Sequence, residues 1–207
     1  KYIAKEYAKI NGFKVAETYQ LVRYPHQIKD FSKNINNFVI KPTDLCDSRC
    51  VYLISNFYDI KNKKYYNLDN IKKELQETRS KIGNEYYMHD GMYKGLVPYS
   101  GYIVEELLLD EGDVPTDYKC YVFGGKIHYI AVTYDREVIK NKQRFKSVWM
   151  NRDWQPVVLP MIKKGYNYKN LPKPNGYEKL IKLVENMGKT LKRHCRIDVY
   201  LMDGEVY

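Results

Sequence analysis

Four groups of residues have the types and spacings to do chemistry. Lys41 ends the apolar run Phe38-Val39-Ile40. A lysine on a rigid strand can set its ammonium against a phosphate with little further loss of freedom. It can equally be a strand-end lysine whose stem lies along apolar surface while its head stays in water. Glu105 and Glu106 interrupt a run of Ile103, Val104, Leu107 and Leu108. Two acids inside an apolar strand either face solvent at a sheet edge, the simpler reading, or line a polar cleft. Asp117-Tyr118-Lys119 opens one strand of a hairpin, and Asp135-Arg136 lies just past the end of the other. Pairing brings such residues near one another. Gathered on one face they suit sugar hydroxyls and a polyphosphate, or they form exposed ion pairs of little energetic weight. Asp198 stands in Arg196-Ile197-Asp198-Val199-Tyr200. An unpaired carboxylate there is costly to bury. A divalent cation removes that cost, and magnesium favours carboxylate plus phosphate oxygens; an outward Asp paired with a lysine is the plain alternative.

Other chemistries find little support. Cys46, Cys50, Cys120 and Cys195 make no disulfide framework in a chain of 207 residues, and Cys46-x-x-x-Cys50 has no second Cys/His pair at finger-like spacing. They read as free thiols of a reducing cytoplasm. His26, His89, His128 and His194 show no paired spacing. Neither GxGxxG, GxxxxGK[ST] nor GxSxG occurs.

The elements that must position these residues alternate irregularly. Tyr2 to Ile10 reads as a helix closed by Asn11-Gly12. Short strands follow at Glu17 to Arg23, Phe38 to Lys41 and Cys50 to Ser55, then a helix from Leu68 to Ile82 with Ile71 and Leu75 on one face. Tyr102 to Leu109 is extended. Tyr118 to Phe123 and Ile127 to Val132 flank Gly124-Gly125, a two-residue turn that wants positive φ. Residues 135–175 are polar and rich in Pro and Asn, which predicts a long loop. Tyr177 to His194 is amphipathic, with Leu180, Ile181, Val184, Met187 and Leu191 on one face. Arg196 to Tyr207 reads as a hairpin turning at Asp203-Gly204. Antiparallel hairpins mixed with helices, without regular βαβ alternation, predict an α+β fold.

Lys plus Arg is 35 against 25 acids, a net charge of +10. Such a balance can serve nucleic acid, an anionic membrane or phosphorylated ligands. The lysines are scattered, so a solvated surface is the simpler reading. No run approaches the length needed to span a bilayer. The chain opens on Lys1 inside a helical stretch, which reads as a piece of a longer chain.

In order, the pieces resemble the TupA-like ATP-grasp family, linked to teichuronopeptide and other surface-polysaccharide biosynthesis. Lys1-Tyr2 with Glu6-Tyr7 resembles the family's opening "DK…REY" helix, and Phe38 to Lys41 its "FVLK" strand. Ile103 to Leu108, then Asp117 to Lys126, resemble "IIxEEYL…DYKFFCFNGK". Asp135-Arg136, Asp153-Trp154 and Arg196 to Tyr200 resemble "DR", "DW" and "RVDLY". The resemblance implies two α+β subdomains with mainly antiparallel sheets enclosing a nucleotide cleft: a nucleotide-clamping lobe over 1–100 and a lobe with hinge, phosphate and metal residues over 101–207. It implies ATP held by Lys1, Lys41, Glu105, Glu106, Leu107, Asp117 and Lys119, with Glu105 and the backbone around Glu106 and Leu107 at adenine and Asp117 at ribose. Lys119 and Arg136 would face phosphate or an acyl phosphate, and Asp198 would hold Mg2+. The implied activity is a cytoplasmic, ATP- and Mg-dependent carboxylate–amine ligase whose partner is a glycan or amino acid bearing a carboxylate or amine. Two departures stand out: Pro42 to Cys50 contains no glycine where family members carry a Gly-rich phosphate loop, and the family's "FGELTF" segment, whose Glu is a metal ligand, would follow Tyr207. Those departures suit a nucleotide- or glycan-binding module without turnover. A basic nucleic-acid binder accounts for the composition but not for the ordered motifs.

Overall fold

The computed structural model describes residues 1–45, 48–82, 101–139, 142–157 and 171–207, and the side chains among these except 135–145 and residue 82. The chain divides into two compact units, Lys1–Tyr2 with Ala16–Leu107, and Ile3–Val15 with Leu108–Tyr207. The division falls after Leu107, so residues 101–107 belong with the first unit.

The first unit holds a six-stranded antiparallel sheet. Its strands are β1 (Thr18–Val22), β2 (Asn37–Pro42), β3 (Tyr52–Ser55), β4 (Tyr58–Asp59), β5 (Lys64–Tyr65) and β6 (Tyr102–Glu106), in the order β1-β6-β2-β3-β4-β5. Strand residues alternate between faces. Phe38, Ile40, Tyr52, Ile54, Tyr102 and Val104 therefore share one face, and Ile71 and Leu75 of α2 (Leu68–Ile82) close over them as one apolar cluster. The opposite face of β2 and β6 carries Val39, Lys41, Ile103 and Glu105. Because β6 lies between β1 and β2, Glu105 is on an interior strand and not at a solvent edge; the residue that makes this tolerable, Lys41, comes from a strand 64 positions earlier.

The second unit holds a five-stranded antiparallel sheet, β11-β10-β7-β8-β9, formed by β7 (Asp117–Phe123), β8 (Lys126–Ile139), β9 (Lys142–Asn151), β10 (Cys195–Met202) and β11 (Glu205–Val206). Tyr118, Cys120, Val122, Ile130, Val132, Val148, Met150, Ile197 and Val199 face α3 (Tyr177–Leu191), which buries Leu180, Ile181, Val184 and Met187 against them. Helix α1 (Tyr2–Ile10) and Phe13 join this core through Tyr7 and Ala8. Gly124 and Gly125 turn the β7–β8 hairpin at φ +59° and +75°, as the two-residue turn requires.

Two expectations are corrected. Strands β8 and β9 run into 135–151, where composition suggested a loop. A strand with only one apolar face is half polar by composition, yet the alternation Ser147, Val148, Trp149, Met150 puts Val148 and Met150 inside. Helix α3 stops at Leu191, because Lys192 takes a left-handed conformation at φ +52°.

Candidate active site

In the first unit, Lys41 faces Ile103 across the β2–β6 ladder and reaches diagonally to Glu105, with which its Nζ forms an ion pair. Glu105 is 6% exposed. A buried carboxylate of this kind persists only with a charged or hydrogen-bonded companion. Next to this pair, Lys1 Nζ donates to the carbonyls of Pro42 at 2.9 Å and Leu45 at 2.6 Å. Glu106 accepts from the Glu17 amide at 3.0 Å, and Leu107 is buried.

Early in the glycine-free stretch after Lys41, Thr43 and Asp44 are buried polar groups held by partners. Thr43 exchanges bonds with Gly101, its amide donating to the Gly101 carbonyl at 2.9 Å. Arg79 of α2 donates to both oxygens of Asp44, at 2.6 and 2.8 Å. Asp44, its side chain only 2% exposed, holds the Arg79 guanidinium well above its usual range, chiefly through those hydrogen bonds. Nothing in the local sequence announced this pair, since its members lie 35 residues apart. A pocket of about 260 Å³ beside Tyr52, Lys61, Asn62, Glu74 and Thr78 contains none of the nine assigned residues.

In the second unit, Asp117 and Lys119 are two apart on β7 and so share a face, where they form an ion pair. Lys119 stands directly opposite Asp198 on β10, and Asp117 opposite Tyr200. On the other side, Asp117 faces Thr133 of β8 and Lys119 faces Ala131. The structure thus brings Asp117, Lys119 and Asp198 together on the face turned away from α3. Arg196 grips Asp198, Nε to Oδ1 at 2.7 Å and Nη2 to Oδ2 at 2.9 Å. That bidentate bond raises the Arg196 guanidinium further. Its partner is an arginine two residues away on the same strand, not a lysine. Arg136 lies in β8 within the register shift between Tyr134 and Glu137; its side chain is outside the described residues, as is Cys46.

The donor set fits a magnesium polyphosphate. A carboxylate offers about four acceptor positions, and Arg196 takes two of those on Asp198. Among the described residues no three His, Cys, Asp or Glu side chains converge as a metal cage. Magnesium tolerates one or two carboxylates when phosphate oxygens complete its shell, and the Lys119 ammonium is carried on the same sheet face.

Glu205 lies apart from this set, paired with Lys179 at 2.6 Å and Lys14 at 3.4 Å. Cys120 is fully buried in the core, which pushes its thiol pKa up; Cys50, Cys120 and Cys195 are free. Among the described residues, no helix is long and apolar enough to cross a membrane.

The family model described as TupA-like ATPgrasp matches residues 1–207. No curated protein matches the chain by sequence. The fold is similar to that of the ATP-grasp ligase PsnB in complex with a phosphomimetic variant of its minimal precursor, Mg and ADP, with TM-score 0.51, 9% identity, and coverage of 99% of this chain and 46% of that one. It is also similar to PsnB with its minimal precursor (TM-score 0.50, 10% identity, 100% and 48%) and to phosphoribosylamine–glycine ligase from Thermotoga maritima (TM-score 0.50, 18% identity, 100% and 45%). At these identities the likeness shows the fold alone. The chain spans about half the length of the solved structures it matches.

Proposed function

We propose that this chain, which belongs to the TupA-like ATP-grasp family, carries the nucleotide- and metal-binding part of an ATP-dependent carboxylate–amine ligase of surface-polysaccharide or glycopeptide biosynthesis. Its acceptor is a glycan or amino acid, and its place is the cytoplasm, where ATP is available. The observation that carries the reading is the register of Asp117, Lys119 and Asp198 on one face of one sheet, the face turned away from α3.

In the first unit Lys41 and Glu105 are assigned to the nucleotide, with Lys1 and the backbone of Glu106 and Leu107 beside them. In the second, Asp117 receives ribose hydroxyls, Lys119 neutralises phosphate charge, and Asp198 holds Mg2+. When bound, the metal ion screens phosphate charge against an incoming carboxylate. Phosphoryl transfer to that carboxylate needs charge neutralisation and positioning more than a protein nucleophile. Lys119 is fixed for this by its ion pair and by the flanking strands, so little reorganisation remains. Arg136 is assigned beside Lys119 at the acyl phosphate, which an amine then attacks with release of phosphate.

A second reading, nucleotide binding without turnover, is favoured by the bidentate hold of Arg196 on Asp198. Thermal unfolding with Mg-ATP separates the readings from their absence. Mg-ATP raises the midpoint of the wild-type chain, and Asp198→Ala removes the magnesium-dependent part of that rise. An equal rise in Asp198→Ala overturns the metal assignment. Hydroxamate formation in the presence of hydroxylamine and a carboxylate acceptor then distinguishes ligase from binder.

A further inference from the structure

The far side of the second unit, where α3 covers the sheet, carries an unbalanced charge. Helix α3 holds Lys179, Lys182 and Lys189, and Lys192 and Arg193 follow it directly. Its own acids are Glu178 and Glu185, and each is taken by a cation from elsewhere, Glu178 by Lys173 at 3.2 Å and Glu185 by Arg152 at 2.7 Å. Glu205 takes Lys179 and Lys14. Among the described residues no carboxylate forms an ion pair with Lys182, Lys189, Lys192 or Arg193, and all four are exposed. Lys182 and Lys189 are seven apart and so share the outward face of the helix. Helix α1 lies beside this face and adds a second feature. Ile3, Tyr7 and Ile10 recur at i, i+4 and i+7, which sets them on one flank. Tyr7 is half-buried, and its hydroxyl shares a hydrogen bond of 2.8 Å with Thr190 of α3. Ile3 and Ile10, at the two ends of the stripe, are 54% and 83% exposed. Single exposed apolar residues are ordinary on a protein surface. Two on one helical stripe, beside a cluster of cations, form a patch.

We propose that the α1–α3 face is a docking surface whose occupant is an anionic phospholipid bilayer. Its charge is complementary to such a membrane, because the acids of α3 are already matched and the remaining cations point outward. Lysine and arginine heads meet lipid phosphates, each adding a modest attraction that salt screens. Ile3 and Ile10 enter the boundary between headgroups and acyl chains, as the apolar flank of a helix does when it lies on a membrane without spanning it. A nucleic acid accounts for the cations but leaves the isoleucines without a role. Single strands are held by aromatic rings that stack on bases, and the exposed residues of α1 and α3 include no aromatic. Because α3 covers the opposite side of the sheet from Asp117, Lys119 and Asp198, docking through it leaves that charged face open. The surface needs no nucleotide and stands apart from the ligase reading.

The test is cosedimentation of the full chain with phosphatidylcholine vesicles, with and without phosphatidylglycerol, at low and at high salt. The chain binds the phosphatidylglycerol vesicles at least about tenfold tighter than the neutral ones, and high salt weakens that binding. Lys182→Glu combined with Lys189→Glu weakens it by about tenfold or more, and Ile10→Ser alone by about fivefold or more. Both variants keep the wild-type unfolding midpoint, since all three side chains are exposed. Absence of vesicle binding, equal binding to neutral vesicles, or wild-type affinity in either variant overturns the proposal. Binding of an oligothymidylate as tight as that of the vesicles, lost in the lysine variant and unchanged in Ile10→Ser, overturns it in favour of a nucleic acid. Self-association that Ile10→Ser abolishes, without vesicle binding, overturns it in favour of a second copy of the chain.

Discussion

The chain builds its two charged groups in different ways. Lys41 and Glu105 come from strands 64 residues apart and meet diagonally across a ladder, with Glu105 almost wholly buried. Asp117 and Lys119 are two apart on one strand, as are Arg196 and Asp198; Asp117 is nearly as buried as Glu105, and only Arg196 and Asp198 keep broad contact with solvent. The first pair is therefore part of what holds its sheet together as well as a candidate ligand. The second set is built on a sheet whose stability resides on the opposite face, against α3. The buried pairs are tied to folding, and the exposed Arg196–Asp198 pair is free to be spent on binding.

That contrast can be broken by substitution. Lys41→Met removes the ammonium facing a buried carboxylate, and the expected loss is about 3 kcal/mol of stability, read from the urea midpoint, together with a weakened Mg-ATP response. Arg196→Ala, which breaks an exposed pair, is expected to leave stability within about 1 kcal/mol of wild type, while Lys119→Ala is expected to weaken Mg-ATP binding by about 2 kcal/mol, or about thirtyfold in dissociation constant. A urea midpoint for Arg196→Ala as low as that of Lys41→Met sinks the distinction.

Smaller effects sharpen it from the core side. Gly188 sits within α3, and a Cβ there would lie 2.5 Å from Val122 Cγ1. Alanine gains about 1 kcal/mol in helix propensity, yet Val122 is fully buried and has nowhere to move. Gly188→Ala is expected to be net destabilising by about 1–2 kcal/mol, with the charged face on the other side of the sheet unaffected. Smaller still is Glu185, whose carboxyl Arg152 holds below its usual value by hydrogen bonding, helped by the Ile127 amide. A depressed carboxylate adds stability that is present above its unfolded pKa and lost as pH falls through the folded one. Glu185→Gln should therefore lower stability near pH 7 by at most about 1 kcal/mol and flatten the acid limb of the stability–pH curve, the difference from wild type closing as pH falls.

Much of this was legible in the chain before folding. The core faces of α2 and α3 followed from apolar spacing, and the β7–β8 turn from two adjacent glycines, because both signals are local. The ion pair within Asp117-Tyr118-Lys119 was implicit in strand alternation. Strands β4 and β5, two residues each, were not legible, since elements that short have no period. The polar reach of β8 and β9 was hidden because composition cannot say which residues alternate inward. Glu105 was misplaced toward solvent because edge and interior strands look alike until the sheet order is known.

The sequence by itself determined which residues could be charged, the apolar faces of α2 and α3, the β7–β8 turn, and a family pattern that names candidate roles; all of these are short-range properties of the chain. Tertiary structure alone decided that Lys41 meets Glu105, that Arg79 fixes Asp44, and that Asp198 lines up with Lys119 across a ladder. Register and strand order set those meetings, and both are fixed by how the apolar faces pack, which no stretch of neighbouring residues specifies.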